Sequence, residues 1–362
     1  GLLVKYFPKT SETFILNQIS GLIDNGISIH PISIYKLNEE IEHDVPHINN
    51  IIDGFNFVEV PESTIRKAGR LWIDSFIGLL NEDVKFFSLL KSKMGYKRKG
   101  MIILIWRELN KGTYDIIHTH FGLPSLYVAE LKKYGLIDEP LVTTFHGVGI
   151  RRAKQNSQTM YDTLFEEANL ILANSRSTKE ELINLGANQE SIRVHNMGID
   201  LDRFEYKSPD ERSDPFKILS VGRLSQEKGH IDGIRAINKL KKDESVSNIE
   251  YTIIGDGKKM EELVELVSEL GIESSINFTG NINSEMVIHL MHEADVLLHP
   301  SYNEGLGMVL LEAQACGVPI VATNTGGIPE ATDPGRSALL SKVGKPNELA
   351  KSIKLLYNNY QM

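Results

Sequence analysis

Short, almost wholly apolar runs alternate along this chain with longer amphipathic ones. ISIHPISIY (27–35), YDIIHTH (114–120), PLVTTFH (140–146) and NLILAN (169–174) read as strands. TFILNQISGLIDNG (13–26) and STKEELINLG (177–186) carry apolar residues at helical spacing, and each ends on a glycine in the C-cap position. Strands that are apolar along their length and separated by helices predict parallel sheets covered on both faces. The alternation pauses at HNMGIDLDRFEYKSPDERSDP (195–215), a polar stretch without period. It restarts with FKILSVGRL, GHIDGIRAINKLKK, IEYTIIGDG, KKMEELVELVSELG, INFTG, SEMVIHLMHEA, DVLLHP, LGMVLLEAQACG and VPIVAT, a second series with its own strands. The pattern predicts an α/β protein of two doubly wound, Rossmann-like domains, residues 1–205 and 206–362, facing a central cleft. Ligands in such sheets bind where the carboxyl ends of strands turn into helices.

Composition narrows the class. A chain of 362 residues with 41% hydrophobic content exceeds what one compact core usually accommodates. The net charge of -9 argues against nucleic acid as a partner. One cysteine, Cys316, excludes an intramolecular disulfide and fits a reducing compartment. The longest purely apolar run, Met101 to Trp106, is far below the roughly 20 residues of a membrane-spanning helix. The first residues, GLLVKYFPKTSETF, lack a secretory apolar region and start without Met, as if mid-strand. The expectation is a cytoplasmic protein whose natural chain begins earlier.

Charge is unevenly spread. Residues 64–111 hold eleven basic and four acidic side chains, a net of +7, which leaves -16 on the remainder. Both tryptophans, Trp72 and Trp106, fall in that segment. A basic, aromatic stretch in an acidic protein predicts a peripheral contact with an anionic membrane surface.

The candidate chemistry follows the strands of the second half. After KILSV comes Gly222-Arg223, with Lys228-Gly229 close behind at a helix start. An arginine fork and a lysine point charge there suit one anion. IIGDG places Gly255 and Gly257 at another strand end, a weak signal alone. In SYNEGLGMVLLEAQACG, Gly305, Leu306 and Gly307 precede a run of helix formers, and a helix N-terminus favours anions. Glu304 and Glu312 flank that turn with seven residues between them. One carboxylate can bond two hydroxyls, so the pair can grip the two ends of a nucleotide sugar whose phosphates lie between them.

VGRLSQEKG, IIGDG, FTG, NEGLGMVLLEAQACGVPIVAT and TGGIPE together resemble the retaining glycosyltransferases of family 4, which have the GT-B fold. The resemblance runs from about residue 110 onward. It implies a donor nucleoside-diphosphate sugar, no divalent metal, no cofactor and a saccharide acceptor. It assigns Arg223 and Lys228 to the diphosphate, Glu304 to the sugar and Glu312 to the ribose. His146 of TTFHG matches a histidine that the family aims at the transferred sugar. Gly222, Gly255, Gly305, Leu306 and Gly307 complete the donor set. FPKTSETFILNQI and HTHFG resemble the branch that builds exopolysaccharides such as colanic acid, with Ser11, Glu12 and His120 on the acceptor side. The acceptor implied is lipid-linked. The Gly-Gly loop that many members carry after the first strand is missing, and LAKSIKLLYNNYQM ends before a further helix that relatives add. On residue type alone, His118, His120 and His146 also suggest a metal site without the carboxylates such a site needs. Two other functions fit the same residues: a nucleotide-sugar epimerase, which needs no acceptor, and a non-catalytic sugar-binding partner of an assembly complex.

Overall fold

A computed structural model describes residues 1–8, 12–37, 47–60, 84–208, 213–246 and 248–359. They form two compact units, Gly1–Asn174 with Thr178–His195, and Asn196–Met362 with Ser175–Ser177. The division at His195/Asn196 precedes the expected 205/206 boundary. Met197 and Phe204 pack against the second unit's core, which draws the intervening stretch to that side.

The first unit is built on a parallel seven-stranded sheet, β1 (Leu2–Phe7), β2 (Pro31–Lys36), β3 (Asn56–Phe57), β4 (Ile117–His120), β5 (Leu141–Phe145), β6 (Leu170–Ala173) and β7 (Ile192–Val194). Its order is β3-β2-β1-β4-β5-β6-β7. The second has six parallel strands, β8 (Phe216–Val221), β9 (Ile249–Ile254), β10 (Ile276–Gly280), β11 (Val296–His299), β12 (Ile320–Thr323) and β13 (Ala338–Ser341), in the order β10-β9-β8-β11-β12-β13. In both sheets the order reverses beside the first strand, the doubly wound arrangement the alternating pattern predicts.

The apolar strands are covered on both faces, as their lack of alternation requires. All four residues of β11 and of β12 are buried. In the first sheet Leu3, Leu141, Ile171 and Ile192 are fully enclosed. Each such Leu or Ile contributes about 1.5–3 kcal/mol on leaving water. A buried hydroxyl chain adds order to the second sheet: the hydroxyls of Ser220 on β8 and Tyr251 on β9 lie 2.7 Å apart, and Ser220 also donates to the Leu298 carbonyl on β11. Asp295 accepts from the amides of Ser213 (3.0 Å) and Lys217 (2.7 Å), which ties the start of β8 to β11.

The basic segment resolves differently from expectation where it is described. Helix Tyr96–Leu109 buries Ile102, Ile103 and Ile105 in the core, and Trp106 packs against Phe86. Trp106 is therefore partly buried against the core; Trp72 lies outside the described residues. Arg98 pairs with buried Glu130, Lys99 donates to the carbonyls of Leu90 and Ser92, and Lys111 pairs with Glu108. Lys91, Lys93 and Lys97 stay exposed beside exposed Phe87 and Tyr96. No helix among the described residues is long and apolar enough to cross a membrane.

Candidate active site

The site of the second unit is assembled from three loops at the carboxyl ends of β8, β11 and β12. After β8, a short turn (Gln226–Lys228) ends on Gly229 at φ +65°, which caps helix His230–Lys241. A Cβ on Gly229 would stand 2.0 Å from the Pro300 carbonyl oxygen, so only glycine lets this loop meet the one after β11. The two are further joined by the Tyr302 amide donating to the Glu227 carbonyl at 2.8 Å. From the other side, the Gly327 amide donates to the Glu304 carbonyl at 3.0 Å. Gly326, at φ +54°, has the Glu304 carbonyl 1.9 Å from where its Cβ would be. The backbone of residues 301–305 is thus clamped between its neighbours, and the Glu304 side chain is aimed by both.

Glu304 Oε2 receives Lys228 Nζ at 2.6 Å and His299 Nε2 at 2.9 Å. The Ser301 hydroxyl donates to the same oxygen at 3.4 Å and lies 3.0 Å from His299 Nε2. Burial alone would raise this carboxyl, but the Lys228 charge and the His299 hydrogen bond outweigh it and hold it well below the usual range. Sequence reasoning had placed Lys228 and Glu304 on different parts of one ligand; here they hold each other. It missed His299 and Ser301. Their signal was position: His299 ends a buried strand five residues before Glu304, where side chains reach the ligand face.

Gly307, in the left-handed region, caps helix Met308–Cys316. The expected helix N-terminus behind Glu304 is therefore present. The Leu306 side chain is buried with Leu310 and Val309, which leaves its backbone for a ligand. Gly255 also finds a packing reason, because the Gly222 carbonyl lies 2.2 Å from where its Cβ would be. Arg223 is half-exposed and reaches Glu227 only at 3.6 Å. Glu312, one turn into its helix, is half-buried and accepts no hydrogen bond among the described residues. Burial lifts its carboxyl to about 7 against the pull of Arg203. Arg203, absent from the sequence reading, lies in the aperiodic segment and donates to the Ser284 hydroxyl.

In the first unit, β4 ends on His120, and His146 follows directly after the neighbouring β5. His120 Nδ1 and His146 Nε2 are 3.0 Å apart, and the rings are stacked at 9°. His120, expected on the acceptor side, is fully buried in this unit. The chain turns at Phe121, at φ +68°, and folds its ring against His146, which together with Phe14 roofs the pair. Such a φ in a non-glycine residue costs about 1–3 kcal/mol. His146 is half-buried, and burial pushes its imidazole down to about 3. His118 bonds the Thr144 hydroxyl at 2.8 Å. The three histidines are thus engaged with one another or with threonine, and no cluster of three metal-ligating side chains occurs among the described residues. Glu12 precedes helix Thr13–Asp24 but makes no side-chain cap, and Ser11 lies outside the described residues.

Known proteins resemble this chain in sequence and in fold. Residues 202–362 match the model of the Glycosyl transferases group 1, and residues 68–203 that of Glycosyltransferase Family 4. The amylovoran biosynthesis glycosyltransferase AmsK of Erwinia amylovora is 30% identical over 95% of this chain and 87% of its own length. The putative colanic acid biosynthesis glycosyltransferase WcaL of Escherichia coli is 28% identical over 98% and 89%. Among solved structures, Anabaena HepE in complex with UDP superposes with a TM-score of 0.72 at 20% identity, over 99% of this chain and 90% of that one. The paired sheets, the loop glycines and these matches have one explanation: the chain belongs to the family-4 glycosyltransferases and has their two-domain GT-B fold.

Proposed function

We propose that this transferase moves a hexosyl group from a nucleoside-diphosphate sugar to a hydroxyl of a lipid-linked saccharide in bacterial surface polysaccharide synthesis, with retention of anomeric configuration and without a divalent metal or other cofactor. AmsK and WcaL, named for amylovoran and colanic acid biosynthesis, support the pathway class, and HepE bound to UDP and to UDP-glucose supports the donor class. The observation that carries the proposal is the Lys228–Glu304 pair in front of the Gly307-capped helix, a cation and a hydroxyl acceptor beside an anion site.

In this reading Arg223, Lys228 and the helix amides stabilise the departing diphosphate, the largest charge the reaction develops. Glu304 orients the sugar and Glu312 takes the ribose hydroxyls; His146 is the histidine that the resemblance assigns to the transferred sugar. Exposed Lys91, Lys93 and Lys97 hold the enzyme at the cytoplasmic face of an anionic bilayer, where a lipid-linked acceptor is confined.

A donor screen with UDP-, GDP- and ADP-sugars and a polyprenyl-linked acceptor tests this. Nucleotide release that requires acceptor is expected. Sugar interconversion without acceptor would indicate an epimerase, and binding without turnover a non-catalytic partner.

A further inference from the structure

The donor-site reading above assigns Lys228 to a phosphate and Glu304 to a sugar, yet the two are bonded to each other at 2.6 Å. A phosphate out of reach from that position gains Lys228 only if the ammonium leaves Glu304. We propose that the Lys228–Glu304 ion pair is a self-closing contact of the donor site. A ligand opens it only by giving a phosphate to Lys228 and a hydroxyl to Glu304 together, so the site selects sugar nucleotides over the free nucleoside diphosphate.

The surroundings of the pair carry the argument. Both side chains are largely enclosed, Lys228 with 18% and Glu304 with 14% of its surface exposed. A bare diphosphate that draws Lys228 away leaves the carboxylate with only the His299 N–H and the Ser301 hydroxyl in a poorly hydrated place. A partly buried charge that loses its counter-ion is disfavoured. A sugar hydroxyl donating to Glu304 replaces the lost ammonium hydrogen bond and removes that penalty. The second oxygen, Oε1, accepts no hydrogen bond among the described residues, so a hydroxyl has a free acceptor to approach.

His299 makes the exchange clean. It is buried, fixed at the end of β11, and bonded to the same Oε2 as Lys228, so it keeps Glu304 in place when the lysine leaves. Burial keeps its ring from readily taking a second proton, despite the carboxylate beside it. It therefore anchors without adding a rival cation. Arg223 is half-exposed with only a long contact to Glu227, and can meet the phosphates before the pair opens.

Calorimetry on the whole chain tests the proposal. The probes are UDP, GDP and ADP and their glucose conjugates, using whichever base wild type binds most tightly. Glu304→Gln is expected to bind the free diphosphate at least about fivefold more tightly than wild type, the low end of a coupling free energy. It should bind the sugar nucleotide no more tightly, so the preference for intact donor shrinks. The gain should vanish in Lys228→Met with Glu304→Gln, because it comes from releasing that ammonium. A diphosphate Kd unchanged or weakened in Glu304→Gln, or a gain that persists without Lys228, overturns the proposal. If Glu304→Gln fails to fold, Glu304→Asp, which withdraws the carboxylate by one methylene, should shift affinity the same way, and no shift is equally fatal. Wild type that binds none of the diphosphates would refute the donor-site reading itself, and the pair's role with it.

Discussion

His120 Nδ1 lies 3.0 Å from His146 Nε2, and the outer nitrogen of each ring is buried with no partner among the described residues. Burial, with neighbouring histidines adding, holds His120 well below the usual imidazole value of 6.5 and His146 at about 3. The unfolded chain therefore binds protons on these rings that the folded one refuses. Stability should fall as pH drops from about 6.5 toward about 3, the window in which the unfolded rings are charged and the folded His146 is not. Thermal melting from pH 7 to pH 4.5 checks this. His120→Phe should flatten the slope, and an unchanged slope would mean the ring is not a buried neutral base.

Glu312 predicts the opposite sign. Its carboxyl is lifted from 4.5 to about 7, so the folded protein binds the extra proton and stability falls as pH rises between those values. Glu312→Gln should raise the melting temperature at pH 8 and leave it nearly unchanged at pH 4.5. A domain of about 150–250 residues gains about 2–4 °C per kcal/mol. In the same variant, weaker nucleoside diphosphate binding at pH 8 is expected from the lost ribose acceptor. Equal melting shifts at both pH values would exclude a buried carboxylate.

Clamping of the Glu304 loop is testable through glycine. Gly271 has a left-handed backbone and nothing within 4 Å of its Cβ position, whereas Gly326 has both a left-handed backbone and the Glu304 carbonyl at 1.9 Å. Gly271→Ala should cost only the conformational term, about 1–2 kcal/mol. Gly326→Ala should cost more and also lower turnover, because the loop that aims Glu304 must shift. Urea unfolding and kcat measured together decide it, and equal stability losses would count against the clamp.

Arg223→Ala should lower kcat by about 10²-fold, the scale of losing one preorganised stabilising group. The side chain is half-exposed, so the melting temperature should barely change. Turnover within a few-fold of wild type would remove Arg223 from the diphosphate site. Turnover should also survive EDTA; loss of activity restored by Mg²⁺ would contradict the metal-free reading.

The membrane proposal now rests on Lys91, Lys93 and Lys97, since Arg98 and Lys99 are spent on internal contacts. Changing the three exposed lysines to Gln should reduce co-sedimentation with phosphatidylglycerol vesicles at low salt, by about 1 kcal/mol per charge. Wild type that does not bind such vesicles would leave this edge as ordinary surface.

Local pattern determined a great deal here. The apolar runs and their helical partners carried both doubly wound sheets, because burial on two faces leaves a periodicity any short window records. Loop glycines and the charges of 222–228 and 304–312 were legible for the same reason, since they punctuate strand ends. Strands β7 and β13 were not: each lies at the edge of its sheet, and β7 has only three residues, too few to show a period. Tertiary packing alone decided that Lys228 meets Glu304 across 76 positions, that His120 is enclosed, and that Leu306 turns into the core. Each depends on which loop lies against which, a relation between distant segments. Sequence could name the charged and aromatic residues of the basic segment, but only the helix Tyr96–Leu109 in place showed which of them face the core.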